Sequence, residues 1–313
     1  AQVKHVAQTG TLNPKDVTVP GVFIDAIVVC DNPWEDHRQT SSWYFDPSYC
    51  GQLRVPQGNI EPALFNERKF IARRGTMELY PGAVINLGTG IPNDMVGKVC
   101  NEERVSEDVM ITVESGIYGG VQAGGIDFGI GQNLYAMIGH HEQMDYYNGA
   151  GVDITYMGLG ELDEMGNVNS TKMGPRCTGA GGFIDITQNA KKVVFLGTFT
   201  AGGARYRFEN GRLVILEEGK IRKMVRQVIQ ISFNGPLARE KRQPVFIVTE
   251  RAVFELREEG VVLTEIAPGI DLKTQVLDMM DFKPIVSRDL KEMDKRLFIQ
   301  DGPFGLKEQM IQC

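Results

Sequence analysis

Eight residues, Val109-Met110-Ile111-Thr112-Val113-Glu114-Ser115-Gly116, constrain this chain more than any other stretch. Five apolar or β-branched residues in succession read as a buried strand. A carboxylate at the end of such a strand is costly unless it is solvated, paired or used. Ser115 and Gly116 then turn the chain, and further glycines follow at positions 119, 120, 124 and 125. Open α/β sheets hold ligands at the carboxyl ends of their strands. Glu114 is therefore the candidate functional residue, and the rest of the sequence is read for what it supplies to that carboxylate.

Several more apolar runs have strand character: Val22 to Val29, Ala83 to Leu87, Asp153 to Met157, Lys192 to Phe199, Arg212 to Leu216, Val228 to Phe233, Val245 to Thr249, Ala252 to Leu256 and Val261 to Glu265. Glu259-Gly260 fits a hairpin turn. Helices are expected from Pro62 to Leu79 with Pro62 near its start, from the Gly88–Asp94 run toward Cys100, and from Asp271 to Met280 with Asp271 as N-cap. Strands alternating with helices predict an α/β fold, an open and mostly parallel sheet flanked by helices, with an added antiparallel β portion. Residues 1–61, broken by prolines, read as a connecting arm, residues 62–300 as the main domain, and residues 301–313 as a loosely held tail. The opening Ala1-Gln2-Val3-Lys4-His5 lacks both an initiator Met and a secretory pattern, which leaves a trimmed or mid-protein start open.

Two glycine stretches have two readings each. Gly88-Thr89-Gly90-Ile91-Pro92, between a strand and a helix, is either a plain tight turn or an anion cradle at a helix start. Gly179-Ala180-Gly181-Gly182-Phe183 is either a bulge or turn, or a place where peptide N–H groups face an oxyanion. Lys191-Lys192 could be solvated or serve an anionic substrate.

Other chemistries find little support. A net charge of −7 disfavours nucleic acid as a partner. No stretch approaches the roughly 18–20 apolar residues of a membrane span. The five cysteines, Cys30, Cys50, Cys100, Cys177 and Cys313, show neither disulfide nor zinc spacing, which suits a reducing, cytoplasmic compartment and a role as small apolar residues. The four histidines have no metal-ligand spacing, so no metal is expected, and no Gly-x-Ser-x-Gly elbow accompanies them.

Taken together the motifs resemble the family I CoA-transferases, most closely the propionate/acetate type with both halves in one polypeptide. The matching runs are Asn86-Leu87-Gly88-Thr89-Gly90-Ile91-Pro92, Glu114-Ser115-Gly116, Gly166-Asn167-Val168-Asn169, Gly179 to Phe183, and Thr249-Glu250-Arg251-Ala252-Val253-Phe254. The resemblance covers only the second, catalytic (beta-like) half, and it implies that residues 1–61 join it to a first (alpha-like) half. It implies ping-pong transfer of CoA from a short-chain acyl-CoA to a carboxylic acid through a glutamyl–CoA thioester at Glu114. Gly182, supported by Gly181, would give N–H to the oxyanion, and Gly88, Thr89, Gly90, Ile91 and Pro92 would lie near CoA. CoA is then a substrate, and no cofactor is implied. The implied partners are the first half, as a separate chain or cleaved fragment, and further copies in a homo-oligomer. Two alternatives stand beside this: an acyl-CoA thioester hydrolase on the same fold, and a non-catalytic assembly or ligand-binding subunit. A sugar-phosphate isomerase-like site is a weaker third.

Overall fold

Long buried strands need both faces covered, and the chain meets that need with one large sheet. The structure, a computed structural model, describes residues 1–312. The chain divides into two units, a short one over Ala1–Pro47 and a large one that begins at Ser48. The large unit thus starts earlier than the expected residue 62. None of residues 1–47 is buried. Within that segment the predicted strand Val22–Val29 shrinks to Val28–Val29, paired in parallel with Gln2–Val3, while Gly21–Phe23 forms an exposed 3-10 turn. Its apolar side chains Val22, Phe23, Ile27, Val28 and Val29 are exposed.

The second unit is built on ten strands. In chain order they are β1 (Val84–Leu87), β2 (Met110–Val113), β3 (Ile117–Tyr118), β4 (Ala136–Met137), β5 (Ile154–Gly158), β6 (Lys192–Leu196), β7 (Val245–Val248), β8 (Ala252–Arg257), β9 (Gly260–Ile266) and β10 (Ile285–Glu292). Their order across the sheet is β10-β9-β8-β7-β6-β5-β1-β2-β3-β4. The central five, β7-β6-β5-β1-β2, are parallel, and β8, β9 and β3 add antiparallel pairings at either side. This is the α/β sheet with an antiparallel portion that the alternation of elements predicts.

Register places Thr112 beside Asn86 and Asn86 beside Thr155 on three neighbouring parallel strands. Paired residues of a sheet share a face. A polar row therefore crosses strands that are otherwise apolar. The residues on the opposite face, including Ile85, Ile111, Ile154 and Tyr156, are fully buried. Tyr156 and Leu196 lie against the helix Glu67–Thr76 (α1), where a Cβ at Gly75 would stand 2.7 Å from Leu196 Cδ2. Helix α1 is shorter than expected. Asn66 caps it, accepting from the N–H groups of Arg68 and Lys69 at 3.0 Å each, so the helix starts after Asn66 and not near Pro62. The helix after β1 is likewise broken, a π turn at Pro92–Val96 running into α2 (Gly97–Glu102). Two further helices, α3 (His140–Gly149) and α4 (Phe183–Asn189), complete the surroundings of the site.

Two expectations fail for physical reasons. Val228 to Phe233 is not a strand. Its Val228 and Ile229 N–H groups donate to Asp163 Oδ2 (3.4 Å) and Glu161 Oε2 (3.0 Å), so side-chain carboxylates occupy donors that a ladder would use. The predicted loose tail is pinned. Phe304, Leu306 and Met310 are buried, and the Glu103 carboxylate accepts from the N–H groups of Phe304, Gly305 and Leu306 at 2.6, 3.0 and 2.9 Å. Asp271 does cap a helix, accepting from Thr274 N–H at 2.7 Å, but the helix is only Leu272–Gln275. No helix among the described residues is long and apolar enough to cross a membrane.

Candidate active site

Parallel strands end on one side of a sheet, so β1, β2 and β5 deliver their following loops to the same edge. After β2 comes Glu114, and the turn behind it is fixed. Gly116 has φ +102°, and a Cβ there would lie 2.1 Å from the Ile138 carbonyl oxygen, so no other residue fits. Ser115 Oγ donates to the Gly129 carbonyl at 2.7 Å. After β1 comes Gly88, whose N–H donates to the Tyr156 carbonyl at 2.8 Å. A Cβ at Gly88 would stand 2.5 Å from Met157 Sδ.

These loops enclose a cavity of about 380 Å³. Gly88, Thr89, Glu114, Gly181 and Gly182 all line it, with Met157, Leu159, Met173 and Phe183 as apolar walls. The carboxylate and the Gly181-Gly182 backbone therefore share one cleft. Among the described residues, the N–H groups of Gly181 and Gly182 have no hydrogen-bond acceptor. Gly90, Ile91 and Pro92 do not line the cavity. Gly90 is exposed, Ile91 packs in the core, and Pro92 is buried at the start of the π turn. Lys191 and Lys192 are also elsewhere, bonded to Asp153 (2.8 Å) and Glu78 (3.1 Å).

Glu114 is half-buried, and its Oε2 has no partner of hydrogen-bond geometry. Burial pushes its pKa above the usual carboxylate value. Its own backbone amide, the Asn86 side chain and the charge of His140 pull the other way without cancelling the rise. Cys100, in the core, behaves as a small apolar residue, its thiol pushed up to about 12 by burial. No three His, Cys, Asp or Glu side chains among the described residues cluster as a metal would require.

No family model matches the chain. Individual proteins do. The caffeate CoA-transferase of Acetobacterium woodii is 43% identical over 305 residues, which are 95% of this chain and 57% of that protein. The acetate CoA-transferase subunit beta of Haemophilus influenzae is 30% identical over 253 residues, 73% of this chain and 96% of that protein. The chain belongs to the family I CoA-transferases. The crystal structure of the Escherichia coli O157:H7 acyl-CoA transferase YdiF, a thioester complex with CoA, superposes with a TM-score of 0.82 at 39% identity, covering 97% of this chain and 56% of that one. This CoA-transferase chain thus spans a little over half the length of the long relatives it matches.

The candidate acid and parts of both glycine loops singled out from sequence line this one cavity, but sequence reasoning missed the layer beneath them. Asn86, Thr112, Tyr147 and Thr155 form a buried hydrogen-bonded group under Glu114. The one available signal was Asn86, an amide inside an apolar strand run. The cavity walls, Met157, Leu159 and Met173, carry no such signal, because a core methionine and a wall methionine look alike in sequence.

Proposed function

We propose that this chain is the nucleophile-bearing half of an enzyme that passes CoA from a short-chain acyl-CoA to a free carboxylic acid. The observation that carries the reading is one cavity lined both by a half-buried carboxylate and by two glycines whose peptide N–H groups have no acceptor of their own. The Glu114 carboxylate attacks the thioester carbonyl. The C–S bond breaks, leaving a mixed anhydride and CoA thiolate. The thiolate attacks the glutamyl carbonyl, forming enzyme–CoA thioester and releasing the first acid as its carboxylate. The acceptor carboxylate then runs both steps in reverse.

A carboxylate is a weak nucleophile, and each addition builds charge on the carbonyl oxygen. The N–H groups of Gly182 and Gly181 are the donors assigned to that oxygen. Burial that raises the Glu114 pKa also makes its ionised form more nucleophilic. Transfer should therefore fall away as pH drops through that raised value. The apolar walls keep water from the anhydride and the thioester, which separates a transferase from a hydrolase. Gly88 and Thr89 are assigned to contact with the CoA arm, and the loop from Gly90 to Pro92 supports them.

The rest of the enzyme is assigned to a first half, on a separate chain or on the same polypeptide, that closes the cleft. The relative named as a beta subunit and the CoA thioester complex of the similar YdiF enzyme both support this reading.

The test uses the assembled enzyme. Incubation with acyl-CoA, digestion and peptide mass measurement should find CoA, or its borohydride reduction product, on Glu114. Glu114→Ala and Glu114→Gln should both lose transfer while keeping the fold. An unmodified Glu114 during turnover, or transfer by Glu114→Ala, defeats the reading. CoA release that is independent of added acid would instead favour the hydrolase.

A further inference from the structure

The buried polar row under Glu114 has only one consistent arrangement of protons. Thr112 Oγ1 lies 2.7 Å from the Ile85 carbonyl, which can only accept, so the single Thr112 proton is committed there. Tyr147 OH lies 2.8 Å from Thr112 Oγ1, so the tyrosine must donate in that pair. With its proton spent, the Tyr147 oxygen can only accept from Asn86, 3.0 Å away, which sets Nδ2 toward the tyrosine. Thr155 Oγ1 donates to Asn86 Oδ1 at 2.9 Å, which agrees. Swapping the two ends of the amide would make Tyr147 donate to Asn86. Two oxygens would then face each other at 2.8 Å with no proton between them, at Thr112. The polarity thus runs Asn86 N–H to Tyr147 O–H to Thr112 O–H to the Ile85 carbonyl. One Asn86 N–H remains unused, Asn86 pairs in register with Thr112 two residues before Glu114 and is close enough to favour the ionised carboxylate, and the buried Glu114 Oε2 has no hydrogen-bond partner.

We propose that Tyr147 is a positioning residue for the reaction, which by accepting from Asn86 and donating to Thr112 holds the Asn86 amide as a pure donor toward Glu114. The inference rests on Glu114 being the nucleophile. Tyr147 reaches this place from α3, the helix over the polar face, and is 1% exposed. Its ring packs beside Tyr146 at 5.9 Å, so removing only its hydroxyl leaves the packing in place. The other titratable groups about the network are Glu114, His140 at the start of α3, and Tyr118, which shares the buried Gln143 as a neighbour with Tyr147.

The test is Tyr147→Phe in the assembled enzyme, with Thr112→Val and Thr112→Ser beside it. Tyr147→Phe frees Asn86 to turn, and Thr112→Val removes the acceptor that fixes the tyrosine proton. Each should lower kcat roughly five- to tenfold with KM unchanged, the loss of one neutral hydrogen bond. Each should also move the acid limb of the pH–rate profile to higher pH. Thr112→Ser, which keeps the hydroxyl, should restore both. A merely structural role would change melting temperature without moving the acid limb. If the wild type carries CoA on Glu114 and Tyr147→Phe keeps wild-type kcat and acid limb, the inference is overturned while the mechanism stands. If the wild type carries no CoA on Glu114, the mechanism itself fails and the inference with it.

Discussion

Replacing Gly182 with proline deletes one N–H and sets a ring Cδ in its place. The backbone at this residue has φ −81° and ψ 2°, at the edge of the range that a pyrrolidine ring imposes. Gly182 is the N-cap of α4, a position where no helix donor is lost, and its N–H has no acceptor within the described residues. The added Cβ meets Ile186 Cδ1 at 3.1 Å and Met144 Cε at 3.5 Å, both ends of flexible side chains. Gly182→Ala brings the same Cβ but keeps the N–H, so the two variants differ in the donor and in the ring carbons that replace it. Two unpaired N–H groups line the cavity, and losing one oxyanion donor typically costs about 2.7–4 kcal/mol of barrier, or roughly 10²–10³ in kcat. Gly182→Ala should stay within about threefold of wild type, and Gly182→Pro should fall by at least about a hundredfold below it. The assay is steady-state CoA transfer by the assembled enzyme, with melting curves to show that both variants fold. Proline and alanine variants of equal activity and normal stability would refute the oxyanion role of this amide.

Two further outcomes follow from burial and hydrogen bonding. The raised Glu114 pKa means that the folded state disfavours the ionised carboxylate, so wild-type stability rises as pH falls through that pKa. Glu114→Gln should therefore melt higher than wild type at neutral pH, with the gap closing as the solution is acidified; a lower melting point at neutral pH would contradict the burial argument. Glu103→Ala strips three backbone donors of a charged acceptor. It should destabilise the terminal helix Leu306–Gln312 by about 3 kcal/mol, seen as faster amide exchange across residues 304–312, and unchanged exchange there would show that the carboxylate is not what holds the segment.

Much of the architecture is legible from local pattern. The strands around Ile85, Ile111, Thr155, Val194 and Ile247 are short apolar runs between turn residues, and a run buried on both faces reads as a parallel-sheet strand; those around Phe254 and Leu263 are equally apolar but pair antiparallel with each other. Glu114 is legible for a different reason: a charge ending such a run violates the local rule, and such violations gather at functional sites. The misreadings share one cause. Val22–Val29 and Val228–Phe233 have strand composition, yet a strand also needs a neighbour along its whole length, and pairing reaches only Val28–Val29 in the first segment and Phe233 in the second. The tail after residue 300 has ordinary composition, but a glutamate some two hundred residues earlier binds its backbone.

The chain's own residue order determined the class of fold, the candidate acid and the two glycine loops proposed to serve it, since strand runs, turns and a misplaced charge are properties of neighbours in sequence. Only the tertiary structure decided that Gly181 and Gly182 line one cavity with Glu114, and that Asn86, Thr112 and Thr155 fall in a single row beneath Tyr147. Those facts depend on register between strands and on which helix covers which face, and both are set by contacts between residues too far apart in the chain for any local pattern to encode.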